Sequence, residues 1–188
     1  MLIMKILKPA LFVSACVAAS LLVSCADPGP PNLLVNPGFE DLLENQKPIA
    51  WRTSQHAGTV AYNYAIDTHD VVEGKHSYKI EQHADQYYGI VKQTVALADR
   101  KRKTFLYTAM LKTKDVEPGS GLQLVVNCKG KNYSVLKQYQ SESVVGNTDW
   151  QKITIEGDIP KGTIEFNVGI MLGTLGVAWI DDTSFSVN

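Results

Sequence analysis

The chain reads as an all-β protein, a single antiparallel β-sandwich of the jelly-roll type, and three observations predict it. From Asn32 onward, short runs rich in Val, Ile, Thr and Tyr recur between Gly, Pro, Asn and Asp. The first group suits a pleated, half-buried surface and the second supplies turns. No long segment repeats its apolar residues about every 3.6 positions, so no amphipathic helix is expected. Finally, 188 residues suffice for one sizeable core, with no room for a separate catalytic domain.

In chain order, the first expected element is an export signal, residues 1–24. Lys5 and Lys8 precede an apolar, small-residue run from Ala10 to Leu22, shorter than the ~20 residues a membrane-spanning helix needs. The run ends in Leu22-Val23-Ser24-Cys25, which resembles the lipobox of bacterial lipoproteins. That resemblance implies cleavage before Cys25 and a diacylglyceryl group on its thiol. Cleavage at the other candidate, Cys16, would leave only a stub of apolar sequence after Lys8. Ala26-Asp27-Pro28-Gly29-Pro30-Pro31 then forms, with Cys25, a short tether (25–31) that extends about 3.1 Å per residue. Ala26 beside the lipidated cysteine points to the outer rather than the inner membrane of the cell envelope.

Of 18 lysines and arginines, two leave with the signal against none of the 19 acidic residues, so the mature formal charge is −3. No general attraction to nucleic acid or to an anionic membrane follows. With Cys16 removed and Cys25 lipidated, Cys128 has no partner for an intramolecular disulfide. It ends the row Leu122, Leu124, Val126, Cys128 on one strand face, which makes it a buried thiol.

The domain spans 32–188. Its expected strands are Asn32–Val35, Val60–Ile66, Ser77–Gln82, Gly89–Leu97, Thr104–Thr113, Leu122–Cys128, Tyr133–Gln140, Trp150–Glu156, Ile164–Leu172 and Val177–Val187. The cleanest alternation, Ile164, Phe166, Val168, Ile170 and Leu172, turns one face inward and leaves Glu165 and Asn167 on the other. Val60, Tyr62, Tyr64 and Ile66 share a face in the same way, which assigns the two tyrosines to packing.

Asn32-Leu33-Leu34-Val35-Asn36-Pro37-Gly38-Phe39-Glu40, followed by Trp51, resembles the opening of the carbohydrate-binding modules attached to xylanases and cellulases, which are galactose-binding-like jelly rolls. Val72-Glu73-Gly74-Lys75-His76-Ser77 is similar to their hairpin before a central strand, and Gly89–Val95 to the strand that follows. Asp149-Trp150-Gln151-Lys152 and Trp179-Ile180-Asp181-Asp182-Thr183-Ser184-Phe185 fit their last strands. The resemblance implies a shared Ca²⁺ between the chain's two ends, with Glu40 and Asp181 as side-chain ligands and Asp182 as the alternate. Hard oxygen donors suit that ion. Neighbouring residues on a strand point to opposite faces, so Asp181 and Asp182 do not form an acid/base pair.

A sugar site needs flat aromatic faces for the apolar side of a pyranose and amides or charges for its hydroxyls. Tyr133, Lys137 and Tyr139 share one face of their expected strand, with Asn127 placed on the same side, and Tyr87-Tyr88 lies near Gln93. These seven residues are the expected ligand contacts. Where the modules usually have a Pro-Gly turn, this chain has Asp99-Arg100-Lys101-Arg102-Lys103. Such a loop ordinarily faces water, and its functional reading is contact with phosphate or uronate.

No catalytic residue is expected. His56, His69, His76 and His83 lack the close pairing of a zinc helix, and neither a Gly-x-Ser-x-Gly elbow nor a phosphate-binding glycine loop occurs. The expectation is a lipid-anchored, non-catalytic protein that captures a poly- or oligosaccharide. The alternative is an envelope assembly subunit that presents the same jelly roll to a protein partner.

Overall fold

The computed structural model describes residues 29–99 and 101–188. The strands are β1 (Arg52–Gln55), β2 (Tyr62–Asp67), β3 (Ser77–Gln82), β4 (Gly89–Ala96), β5 (Thr104–Val116), β6 (Leu122–Lys129), β7 (Val135–Gln140), β8 (Gly146–Asp158), β9 (Glu165–Leu172) and β10 (Gly176–Val187). They form two antiparallel sheets, one ordered β1-β4-β9-β6-β7 and the other β2-β3-β10-β5-β8. Among the described residues the helical content is one 3-10 turn, Lys131–Tyr133. The expected export signal, Cys25 and most of the tether lie outside the described residues, as does Arg100.

Alternation builds the core. Phe166, Val168, Ile170 and Leu172 of β9 are fully buried, and they pair in register with Leu122, Leu124, Val126 and Cys128 of β6, equally buried. From the facing sheet come Ile80, Phe105, Tyr107, Leu111, Ile180 and Phe185. Phe166 meets Phe185 across the gap at 5.1 Å between centroids, and Phe105 joins both at 6.2 and 5.8 Å. Buried aromatic clusters of this kind carry much of a sandwich's stability. In β10 a bulge between Asp181 and Ser184 shifts the parity, so that Ile180 and Phe185 both face inward despite their odd separation.

Three expectations at the first strands need correction. Asn32–Val35 is an arm, not a strand. The Asn32 side chain accepts from Phe185 N at 3.0 Å and donates to Thr183 O at 2.9 Å, and Leu33 N donates to Phe185 O. A side-chain amide here replaces the ladder that a strand would need. The true first strand, β1, reads Arg-Thr-Ser-Gln and has no apolar residue for a pattern to find. It is an edge strand bonded only to β4, where polar residues are tolerated on both faces. Val60 lies outside β2 and is exposed, whereas Tyr62 is buried as expected.

Candidate functional site

Antiparallel pairing sends the β1–β2, β3–β4, β5–β6 and β9–β10 connections to one end of the sandwich. Here Gln82, at the end of β3, anchors the 83–88 loop: its Nε2 donates to Ala84 O and Gln86 O, and its Oε1 accepts from Tyr62 Oη at 2.7 Å. Gln86 in turn accepts from Tyr87 N at 3.0 Å and lies 3.1 Å from His56 Nδ1. The His56 ring stands edge-on to Tyr87 at 4.8 Å and to Tyr88 at 5.9 Å. A supported aromatic rim results, with Tyr87 78% exposed. It borders a cavity of about 380 Å³ lined by Gln82, Asp85, Gln86, Tyr87, Glu117, Ser120 and Thr174, closed by Gly173 and Leu175.

The outer face of the β1-β4-β9-β6-β7 sheet continues from this rim. Register lines up Ser54, Ile90, Met171 and Gln123 nearest to it, then Arg52, Lys92, Gly169, Val125 and Gln140, then Thr94, Asn167, Asn127 and Gln138. Thr94 donates to Asn167 Oδ1 at 3.0 Å. Gly169 keeps the centre of this face bare, and a Cβ there would press on Lys92 and on the Val91 carbonyl. The far row, Thr94, Asn167, Asn127 and Gln138, offers hydroxyl and amide groups, the middle row adds Arg52 and Lys92, and the near row leads to the edge-on rings of the rim, an arrangement that suits a ligand rich in hydroxyls.

The expected ligand residues divide. Tyr87 and Tyr88 lie at the rim, and Asn127 lies on the outer face. Asn127 is not beside Lys137 and Tyr139, as expected, because the pairs Cys128–Lys137 and Val126–Tyr139 put those two on the core side of the sheet. The Tyr139 ring packs edge-on against Phe105 at 5.0 Å and over Gly157, with its hydroxyl donating to Asp158 O. Lys137 Nζ sits 4.4 Å from that ring. Tyr133 does not share their strand face: it belongs to the 3-10 turn, with φ of 59°, at the opposite end of the sandwich. Gln93 is buried and spends both amide atoms on Val35, at 2.9 Å each. His56, Gln86, Glu117 and Ser120 were not anticipated, since only the convergence of three loops brings them together.

Glu40, Asp181 and Asp182 were expected around a cation. Asp181 is fully buried; Val72 N and Glu73 N donate to its Oδ2 at 2.8 and 3.2 Å, and Asp182 N to its Oδ1 at 2.7 Å. Burial pushes its carboxyl above the ordinary range, outweighing those amides. Glu40 Oε1 accepts from Lys75 N and His76 N at 2.8 and 3.0 Å. Burial would raise that carboxyl too, but the two amides and the neighbouring His76 and Lys75 hold it below the usual range. Gly74, at φ of +74°, admits the Glu40 carboxylate where any Cβ would collide with it. The two acids therefore clasp the 70–76 hairpin to both ends of the chain. Both border Gly38, whose Cβ position lies 3.8 Å from Asp181 Oδ1 and 3.9 Å from Glu40 Cγ. Asp182 is exposed on the bulge. Among the described residues no group of three or more Asp, Glu, His or Cys side chains converges, so calcium here would need backbone carbonyls for most of its six to eight oxygens.

No family model and no curated protein matches the sequence. Solved structures do share its shape. The CBM22-1 xylan-binding domain of Paenibacillus barcinonensis Xyn10C is 13% identical with a TM-score of 0.58, over 86% of this chain and 97% of that one. TmCBM61, solved in complex with β-1,4-galactotriose, is 15% identical with a TM-score of 0.53, over 84% and 99%. The enzymatically active domain of bacteriophage CBA120 tailspike protein 4 is 13% identical with a TM-score of 0.65, over 84% of this chain; the match spans 21% of the tailspike chain. The chain has the jelly-roll sandwich fold of the carbohydrate-binding modules, as its opening and closing motifs led one to expect.

Proposed function

We propose that this protein is a non-catalytic carbohydrate-binding domain that holds a poly- or oligosaccharide at the Tyr87–His56–Tyr88 rim and along the amide-lined sheet face. The observation that carries the reading is the exposed Tyr87 ring, braced by His56 and Gln86 beside the 380 Å³ cavity. An aromatic face takes the C–H side of a pyranose while Asp85, Glu117 and Ser120 receive hydroxyls. Xylan and β-1,4-galactotriose are the first probes, because one module of this fold is described as xylan-binding and another was solved in complex with that trisaccharide. Titration calorimetry is expected to show binding that Tyr87→Ala weakens about tenfold, ~1.4 kcal/mol, with the far-ultraviolet spectrum unchanged. No binding across a neutral and acidic glycan array would overturn the reading in favour of an envelope assembly subunit.

Two finer proposals rest on sequence motifs. Lipid attachment at Cys25 would hold the domain at the cell envelope, more readily at the outer membrane; labelled palmitate should enter the wild type and not Cys25→Ser. A structural calcium at Glu40 and Asp181 draws support from the place of both side chains beside Gly38. Its mark would be a melting temperature that rises with added calcium and falls with chelator, and an unchanged value would leave the amide clasp alone in that role.

A further inference from the structure

The end of the sandwich opposite the aromatic rim carries a second cavity, about 670 Å³, between the 97–103 loop and the 159–163 turn. Its walls are firmly held: Leu97 N donates to Ile164 O at 2.9 Å, Ile159 N to Lys103 O at 2.7 Å, and Thr163 N and Oγ1 both to Pro160 O. Arg102, Lys103 and Lys161 line it. Arg102 and Lys103 are in the loop that replaces the expected Pro-Gly turn. Beside them on the same end stand Lys101, Lys129 and Lys131. The acids there are Asp99, whose carboxylate lies 3.4 Å from Arg102 Nε, with Glu156, Asp158 and Glu165. Positive charge predominates on a protein whose mature net charge is negative.

The same end presents apolar side chains to solvent. Tyr133 is 80% exposed, Val135 56% and Leu136 42%. Leu136 reaches Gly162 of the cavity turn, 3.8 Å from that residue's Cβ position, so the apolar tip adjoins the basic cavity. The chain also enters here, for Leu33 bonds Phe185 near the end of β10, while Lys103 N and Thr104 N donate to Asn188 O.

We propose that this end docks on a bilayer surface rich in anionic phosphate headgroups, with Arg102, Lys103 and Lys161 receiving a headgroup phosphate and Tyr133 and Leu136 entering the interface. Cations are attracted to such a surface, and a tyrosine with one apolar and one polar side is suited to its boundary. The glycan rim then points away from the membrane, toward soluble polymer. A lipid at Cys25 would strengthen this geometry, yet the surface itself is complete without it.

The test is vesicle co-sedimentation of the unlipidated chain from Gly29, which holds both sheets and the whole core. Binding is expected to phosphatidylglycerol-containing vesicles but not to pure phosphatidylcholine, and to disappear near 1 M salt, where the screening length falls to about 3 Å. Replacing Arg102, Lys103 and Lys161 together by Gln should weaken it by more than about tenfold, since each cation is worth roughly fivefold. Tyr133→Ala should weaken it severalfold with the salt dependence retained. Removing as many charges elsewhere, through Lys47→Gln, Lys114→Gln and Lys152→Gln, should change it little. Equal loss in the two triple variants, or no vesicle binding at all, would overturn the proposal. So would a cavity that takes inorganic phosphate or polygalacturonate while anionic vesicles stay unbound.

Discussion

Tyr107 and Cys128 show what burial does to single groups. Tyr107 on β5 is fully buried and its hydroxyl meets no partner. Burial raises its pKa far above the usual phenol value, so it stays neutral, but an unpaired buried hydroxyl still costs about 1–3 kcal/mol. Tyr107→Phe removes that oxygen without opening a cavity. It should leave stability unchanged or raise it by up to about 1 kcal/mol, seen as a melting temperature about 2–4 °C higher. Burial likewise pushes the Cys128 thiol up to about 11, with Lys137 opposing only weakly. Thiolate is the reactive species, so a thiol reagent at pH 8 should label Cys128 in denaturant and leave the folded protein unlabelled. The buried thiol was legible in its alternating row. The orphan hydroxyl was not, since hydrogen-bond satisfaction depends on what the facing sheet presents.

At the scale of the strand, the start of β4 shows how an element and the site are coupled. The Tyr62 ring lies on Gly89, and its hydroxyl bonds Gln82 and the Leu172 carbonyl. A methyl group at Gly89 would have to displace that ring, and overpacking of this kind costs about 1–3 kcal/mol. Gly89→Ala should lower the urea midpoint by that amount. It should also weaken the proposed glycan binding, because Gln82 holds the loop that carries Tyr87. Strands whose apolar residues alternate were readable almost to their ends, as β3, β4, β6 and β9 show. β1 was not, because a polar edge strand is defined by its partner β4 rather than by its own residues.

For the whole molecule, polar ties that span a strand within one sheet add to the aromatic core. Asp67 on β2 accepts from Trp179 Nε1 on β10 at 3.0 Å and from the amides of His69 and Asp70 at 2.7 and 3.1 Å. Burial alone would raise its pKa, but these bonds outweigh it and hold the carboxyl below its ordinary value of 3.8. A depressed carboxyl stabilises the fold at pH above the unfolded value and loses that contribution as pH falls through the folded one. Asp67→Asn should therefore cost about 1–2 kcal/mol at pH 7, and the gap to wild type should narrow below about pH 4, as followed by denaturant titration.

Side-chain periodicity and turn residues, properties of neighbours along the chain, were enough to define an all-β sandwich, most of its strands and its buried rows. Packing of the two sheets determined the rest. Register alone put Asn127 and Tyr139 on opposite faces and turned Tyr139 into the core. Antiparallel topology alone gathered His56, Gln86, Tyr87 and Glu117 at one end and the basic cavity at the other, because residues far apart in sequence become neighbours only when their loops share an end of the sandwich.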